Sequence, residues 1–174
     1  MRGGIAVDAA ELRQTQAPHK ERYRDEPQAA VITLKAEGAL GEGLTCSVRT
    51  ARALVDAGLH PATGGSGMHA CSGDMLLEAL VACAGVTLSA VATALEIPVR
   101  AGTIRAEGDL DFRGTLGVAK DAPVGFKAIR LRFDLDSDAS EEQLATLMKL
   151  TERYCVVYQT LRSAPNIDLR LTTA

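Results

Sequence analysis

The sequence has no C-x-x-C pair, which excludes a thioredoxin-type motif, and the spacings among Cys46, Cys71, Cys83 and Cys155 fit none of the usual zinc patterns. Trp is absent, and Phe and Tyr number three each. No cluster of basic residues interleaves with aromatics, and 19 Lys and Arg stand against 22 Asp and Glu for a net charge of −3. The electrostatic footprint of a nucleic-acid binder is therefore missing. Residues 1–28 carry Asp8, Glu11, Arg13, His19, Lys20, Glu21, Arg22, Arg24, Asp25 and Glu26 without the apolar stretch of about 7–15 residues that a signal peptide needs. The expectation is a cytosolic protein, and in a reducing compartment four scattered cysteines do not form a disulfide framework. Internal repeats and low-complexity tracts are absent. The run Gly64-Gly65-Ser66-Gly67 lacks the G-K-[ST] ending of a phosphate-binding loop.

What is present suits one domain. A length of 174 residues with 47% apolar side chains supports a sizeable core. Residues 1–28, broken by Pro18 and Pro27, read as an N-terminal arm, loose or helical, ahead of a domain over 29–174. Ala30 to Glu37 and Leu44 to Thr50 read as two strands joined by a hairpin loop at 38–43. Residues 51–71 are dense in Gly and Pro and form a long loop, of the kind that often carries function. The apolar run Met75 to Leu95 nears membrane-span length. Asp74, Glu78 and Glu96 punctuate it, however, and a buried central helix is the better reading. Ser72 is the expected N-cap, Asp74 complements the helix dipole, and Pro98 forbids continuation, which gives a helix of about 22 to 25 residues.

Beyond Pro98, Val99 to Phe112 reads as a strand with a bulge or bend at Gly102 or Gly108. From Gly125 to Asp136, Ile129, Leu131, Phe133 and Leu135 alternate with Arg130, Arg132, Asp134 and Asp136, as in a strand covered on one face. Ser140-Glu141-Glu142-Gln143 matches a capping box, so a second helix starts at Glu141 with Leu144, Leu147, Met148 and Thr151 facing inward. Ile167, Leu169 and Leu171 read as a last alternating strand. The fold class is α+β, in the order β-β-α-β-β-α-β.

Cys83 lies in the middle of the first long helix and Cys155 just past the end of the second. Two thiols so placed can meet across a packed core, an arrangement suited to redox chemistry. The residues alone leave open whether Cys83 is reactive, since a cysteine buried among apolar groups has a raised pKa and is inert. His69, Cys71 and Cys46 are weak candidates for metal ligands, and no metal or cofactor is expected.

The run Ser72-Gly73-Asp74-Met75-Leu76-Leu77-Glu78-Ala79-Leu80-Val81-Ala82-Cys83, together with Tyr154-Cys155-Val156-Val157-Tyr158-Gln159-Thr160-Leu161, resembles the OsmC/Ohr family of osmotically inducible and organic-hydroperoxide-resistance proteins, over residues from about 30 to 172. The resemblance implies antiparallel sheets packed on a long central helix in an intertwined homodimer. It also implies thiol-dependent reduction of organic or inorganic peroxides, often with a small dithiol such as a lipoyl group as reductant. By that resemblance Cys83 attacks the peroxide and Cys155 resolves the sulfenic acid to a disulfide. The family's acid falls at Gly73, with Asp74 one step later, and Val156 stands where proline often follows the second cysteine. The family's peroxide-polarising arginine has no counterpart in Gly38 to Gly43. Asp74 lies nine residues before Cys83, about 13–14 Å along a helix and on its far side. It can therefore assist only the thiol of a partner subunit. A cation should depress the Cys83 pKa, with Arg49, Arg52 and Arg162 as candidates. The alternative is a non-catalytic dimer of the same fold that binds a small apolar molecule or acts in stress response.

Overall fold

The computed structural model describes residues 9–40, 46–48 and 58–172. Four strands form one antiparallel sheet: β1 (Val31–Leu40), β2 (Cys46–Val48), β3 (Ala101–Asp111) and β4 (Ala128–Asp136), in the spatial order β2-β1-β3-β4. Strand β1 is thus longer than the alternation implies, and it pairs with β3 from Val31↔Asp111 to Ala39↔Thr103. Neither glycine of β3 makes a bulge, because Gly102 pairs with Leu135 and Gly108 with both Leu34 and Ile129 in unbroken register. Gly108 serves close approach instead. A Cβ there would lie 2.4 Å from Cε1 of Phe126, so only a bare backbone lets that ring lie over the strand.

Helix α2 (Ser72–Ala94) runs against β1 and β3 and buries Leu77, Leu80, Val81, Ala84, Leu88 and Val91. By length and composition it would cross a membrane, yet the sheet and two further helices cover its apolar stripe, as in the core helix of a globular fold. Its N-cap is Cys71, not Ser72, and no side chain closes that end. Asp74 does sit in the first turn.

The β4 alternation appears as expected. Ile129, Leu131, Phe133 and Leu135 join the clusters beneath α2, while Arg130 faces outward to bond Asp109 at 2.6 and 2.9 Å and Glu107 at 3.4 Å. Arg105 pairs likewise with Asp134, and Arg100 with Asp136 and Asp138. These cross-strand ion pairs occupy the wet face and contribute little each.

Ser140 and Gln143 close the capping box of α4 (Glu141–Tyr154), with the Gln143 amide donating to Ser140 Oγ at 3.3 Å and the Ser140 amide to Gln143 Oε1 at 3.0 Å. Leu147 and Thr151 are the buried residues of its inner stripe. A short helix α5 (Val156–Arg162) follows at once. Ahead of the sheet, α1 (Ala9–Asp25) is held by Tyr23, which is buried with Ala30, Phe112 and Leu116 and donates its hydroxyl to the Ala62 carbonyl. Phe112 itself opens a single-turn helix, α3 (Phe112–Thr115), after β3.

The last strand does not form. Residues 163–172 have no regular structure, and Ile167, Leu169 and Leu171 are 85%, 93% and 90% exposed. Alternation supplies the side chains of a strand, but its backbone amides and carbonyls need a neighbouring edge, and neither β2 nor β4 takes this segment.

Candidate functional site

The site begins at the junction of α4 and α5. The Cys155 amide completes α4 by donating to the Thr151 carbonyl at 2.9 Å, and the Cys155 carbonyl accepts the first α5 bond from Gln159 at 2.9 Å. Between them Cys155 takes an extended conformation, φ −70° and ψ 106°, so one helix stops and another starts at the same residue. The first amides of a helix have no acceptor within it. Here those of Val156 and Val157 act on the Cys83 thiol of α2 and lower its pKa.

Cys83 is half-buried and Cys155 is buried in the cluster of Leu77, Leu80, Val81, Ala84, Ile104 and Ala106. Both are free thiols, and the Cys155 S–H donates to Cys83. Burial opposes ionisation of Cys83. It is outweighed by hydrogen bonds from the Val157 amide, the Cys155 thiol, the Thr87 hydroxyl and the Val156 amide, which together hold Cys83 below the ordinary thiol range. Cys155 goes the other way. Burial, reinforced by the bond and negative charge it shares with Cys83 and only partly opposed by the Tyr158 and Val157 amides, pushes it up to about 11. The two sulfurs are thus shifted in opposite directions, Cys83 towards easier ionisation and Cys155 away from it.

Among the described residues the groups that lower the Cys83 pKa are neutral donors. Arg162 is engaged elsewhere, paired with Glu152. Arg49 and Arg52 lie outside the described residues. Thr87, one turn beyond Cys83 on α2, was legible as a Cys-x-x-x-Thr spacing; the Val156 and Val157 amides carried no sequence signal, because any residue has one.

Asp74 is gathered with two other titratable groups rather than with the thiols. His60 stacks on Phe112 with ring centroids 5.0 Å apart, and its Nδ1 accepts from the Ala62 amide at 3.0 Å. Burial lowers the His60 pKa while Asp74 raises it; burial raises Asp74 while His60 lowers it. Glu78 is raised by burial and by the Asp74 charge. The loop carrying His60 depends on Gly65, where a Cβ would fall 1.7 Å from the Leu59 carbonyl oxygen. His69 is exposed, and Cys71 packs against the Cys155 cluster. Cys46 is paired with Leu40 in the β2 register. Among the described residues no three His, Cys, Asp or Glu side chains converge as metal ligands.

Two hollows lie among the described residues. One of about 500 Å³ is lined by Leu80, Phe126, Ile129, Leu131, Leu161 and Arg162 among others. The second, of about 410 Å³, lies between α2, β4 and α4 and reaches Cys155.

A family model described as OsmC-like protein matches residues 64–170, a span that contains both cysteines of the pair. Among solved structures, the chain is similar to an OsmC-like hydroperoxide resistance protein from Jannaschia sp. CCS1, with 16% identity and a TM-score of 0.61 over 83% of this chain and 95% of that one. It is also similar to an OsmC-like protein from Mycoplasma pneumoniae, with 17% identity and a TM-score of 0.54 over 77% of this chain and 86% of that one. These likenesses concern the fold. No curated protein matches the chain.

Proposed function

Since the chain belongs to the OsmC-like protein family, we propose that it is a thiol-dependent peroxidase acting on organic or inorganic hydroperoxides, with Cys83 as nucleophile and Cys155 as resolving thiol. The observation that carries this is the hydrogen-bonded sulfur pair with opposed pKa shifts. The Cys83 thiolate attacks one peroxide oxygen, the O–O bond breaks, and the alkoxide leaves and takes a proton from water. Cys83 is then a sulfenic acid, which the Cys155 sulfur attacks to form the disulfide with loss of water. The Val156 and Val157 amides hold the thiolate before the first step and favour its return afterwards.

The proposal includes a homodimer and a cytosolic location. The outer face of α2 supports the dimer, since Met75, Leu76 and Val86 are 37–41% exposed on it, as does the alternating segment Ile167 to Leu171, which pairs with no strand among the described residues. Asp74 enters the chemistry only if a second subunit brings it to the other thiol.

One equivalent of cumene hydroperoxide tests the reading by mass spectrometry. The expected product is a Cys83–Cys155 disulfide. Cys155→Ser should stop at a dimedone-trappable sulfenic acid on Cys83, and Cys83→Ser should not react. Unchanged thiols after peroxide would favour the second reading, a dimer that binds a small apolar molecule.

A further inference from the structure

A cluster of titratable groups lies outside the thiol site, at the loop that carries His60. The His60 ring is half-buried and stacks on Phe112. Its Nδ1 accepts from the Ala62 amide at 3.0 Å and so caps the short turn Pro61–Thr63. A backbone amide can only donate, which leaves Nδ1 bare and puts the ring proton on Nε2. The same alanine holds the N-terminal helix, because the Ala62 carbonyl accepts the Tyr23 hydroxyl. Tyr23 is 2% exposed and is the one buried side chain among those described in α1. Ala62 therefore joins the histidine through its nitrogen and the arm through its oxygen.

We propose that His60 is an acid-sensitive latch for α1: a proton taken from solvent on Nδ1 turns the acceptor of the Ala62 amide into a second donor, which opens the turn and frees the Tyr23 hydroxyl from the Ala62 carbonyl. The device is separate from the thiol chemistry. Two donors cannot bond each other, so the charged ring gives up Ala62 and turns to the Asp74 carboxylate, whose charge already acts on it. Release uncovers Ala30, Phe112 and Leu116, with which Tyr23 is packed. Only one side chain has to leave the core, and a terminal element with so little burial opens at low cost.

The charged and titratable neighbours come from three elements. Helix α2 brings Asp74, with Glu78 one turn on and under its charge. Helix α1 brings Tyr23, with the His19 ring 6.1 Å away and Arg22 acting on it. Phe112 of α3 is followed by Arg113, which is bound to Asp111, so the Asp74 carboxylate is the one that receives an imidazolium. His69 of the same loop is exposed. Burial opposes the charge on His60 and outweighs Asp74, which sets its folded pKa below the ordinary histidine value of about 6.5. Docking of α1 is thus fully present above that value and is lost as pH falls through the folded one.

Hydrogen exchange of the full chain at pH 7.5 and pH 5.0, read by mass spectrometry and corrected for the intrinsic rate at each pH, tests the latch. Peptides within 9–25 should lose protection about fivefold in acid, the factor a helix cap is worth, while those of α4 keep theirs. Unchanged protection of α1 overturns the proposal. His60→Asn keeps an acceptor at the cap and cannot titrate, so the acid response should vanish, and a response that persists removes His60 as the switch. His19→Gln should retain the response; its disappearance there would equally overturn the proposal. Tyr23→Phe should loosen α1 at pH 7.5 to the level the parent shows at pH 5.0, and full protection in that variant breaks the link through the Ala62 carbonyl.

Discussion

The Cys155 thiol donates its hydrogen bond to the Cys83 sulfur, and the two groups titrate in opposite directions because of where each sits. Cys83 faces the open amides at the start of α5, while Cys155 is enclosed by α2 and the sheet.

The two thiols should therefore be alkylated in sequence as pH rises. A lowered pKa means that Cys83 is already thiolate where an ordinary cysteine is still protonated, so iodoacetamide should modify it first, in the range below the usual thiol value. Cys155 should stay protected until the solution approaches pH 11. Peptide mapping across a pH series reads both. Simultaneous modification of the pair would sink the account of the site.

Thr87 tests the claim that neutral donors activate Cys83. Removing a hydrogen bond to a charged group costs about 1.5 kcal/mol or more, which is about tenfold in thiolate population. Thr87→Val should slow peroxide consumption near neutral pH by about that factor and move its pH profile upward. Thr87→Ser should recover both, and a loss that is the same at every pH would indicate a packing defect.

Asp74 separates a structural from a catalytic acid. Burial raises its pKa, so in the fold its ionisation is disfavoured, and stability present below the unfolded carboxylate value is lost as pH rises through the folded one. Asp74→Asn should match the parent in urea at pH 3 and exceed it at pH 7, by less than about 1 kcal/mol. If peroxide turnover instead falls about a hundredfold, Asp74 acts on the thiol of the other subunit.

Asp111 behaves in the opposite sense. Arg113 donates to it from Nε at 2.9 and 3.1 Å, from the second guanidinium nitrogen at 2.5 Å and from the backbone at 3.1 Å, which holds a carboxyl that is 1% exposed below its ordinary range. A depressed folded pKa gives stability that is present above the unfolded value and lost as pH falls through the folded one. Asp111→Ala should cost about 2–3 kcal/mol at pH 7, since it strands Arg113 beside Phe112, and the difference should shrink in acid. Urea midpoints at pH 7 and pH 2.5 check it.

Much of this architecture was written locally. Ser140 and Gln143 mark the start of α4 because a capping box is satisfied within four residues, and Ile129 to Leu135 mark β4 because a one-sided sheet demands alternation. Asp74 and Pro98 bound α2 closely enough to place it at Ser72–Ala94. The terminal segment shows the limit of such signals. Ile167, Leu169 and Leu171 alternate as well as any strand, yet whether they pair depends on an edge that no local pattern describes.

Helix starts and stops are decided by neighbouring residues, so residue order was enough to put two cysteines on, and just after, the two long helices. What those thiols became was left to packing. The Cys83 pKa is lowered in large part by backbone amides freed by a helix break at residue 155, and their placement depends on how α4 packs against α2. A backbone amide is chemically the same in every residue, so its aim is settled by packing alone.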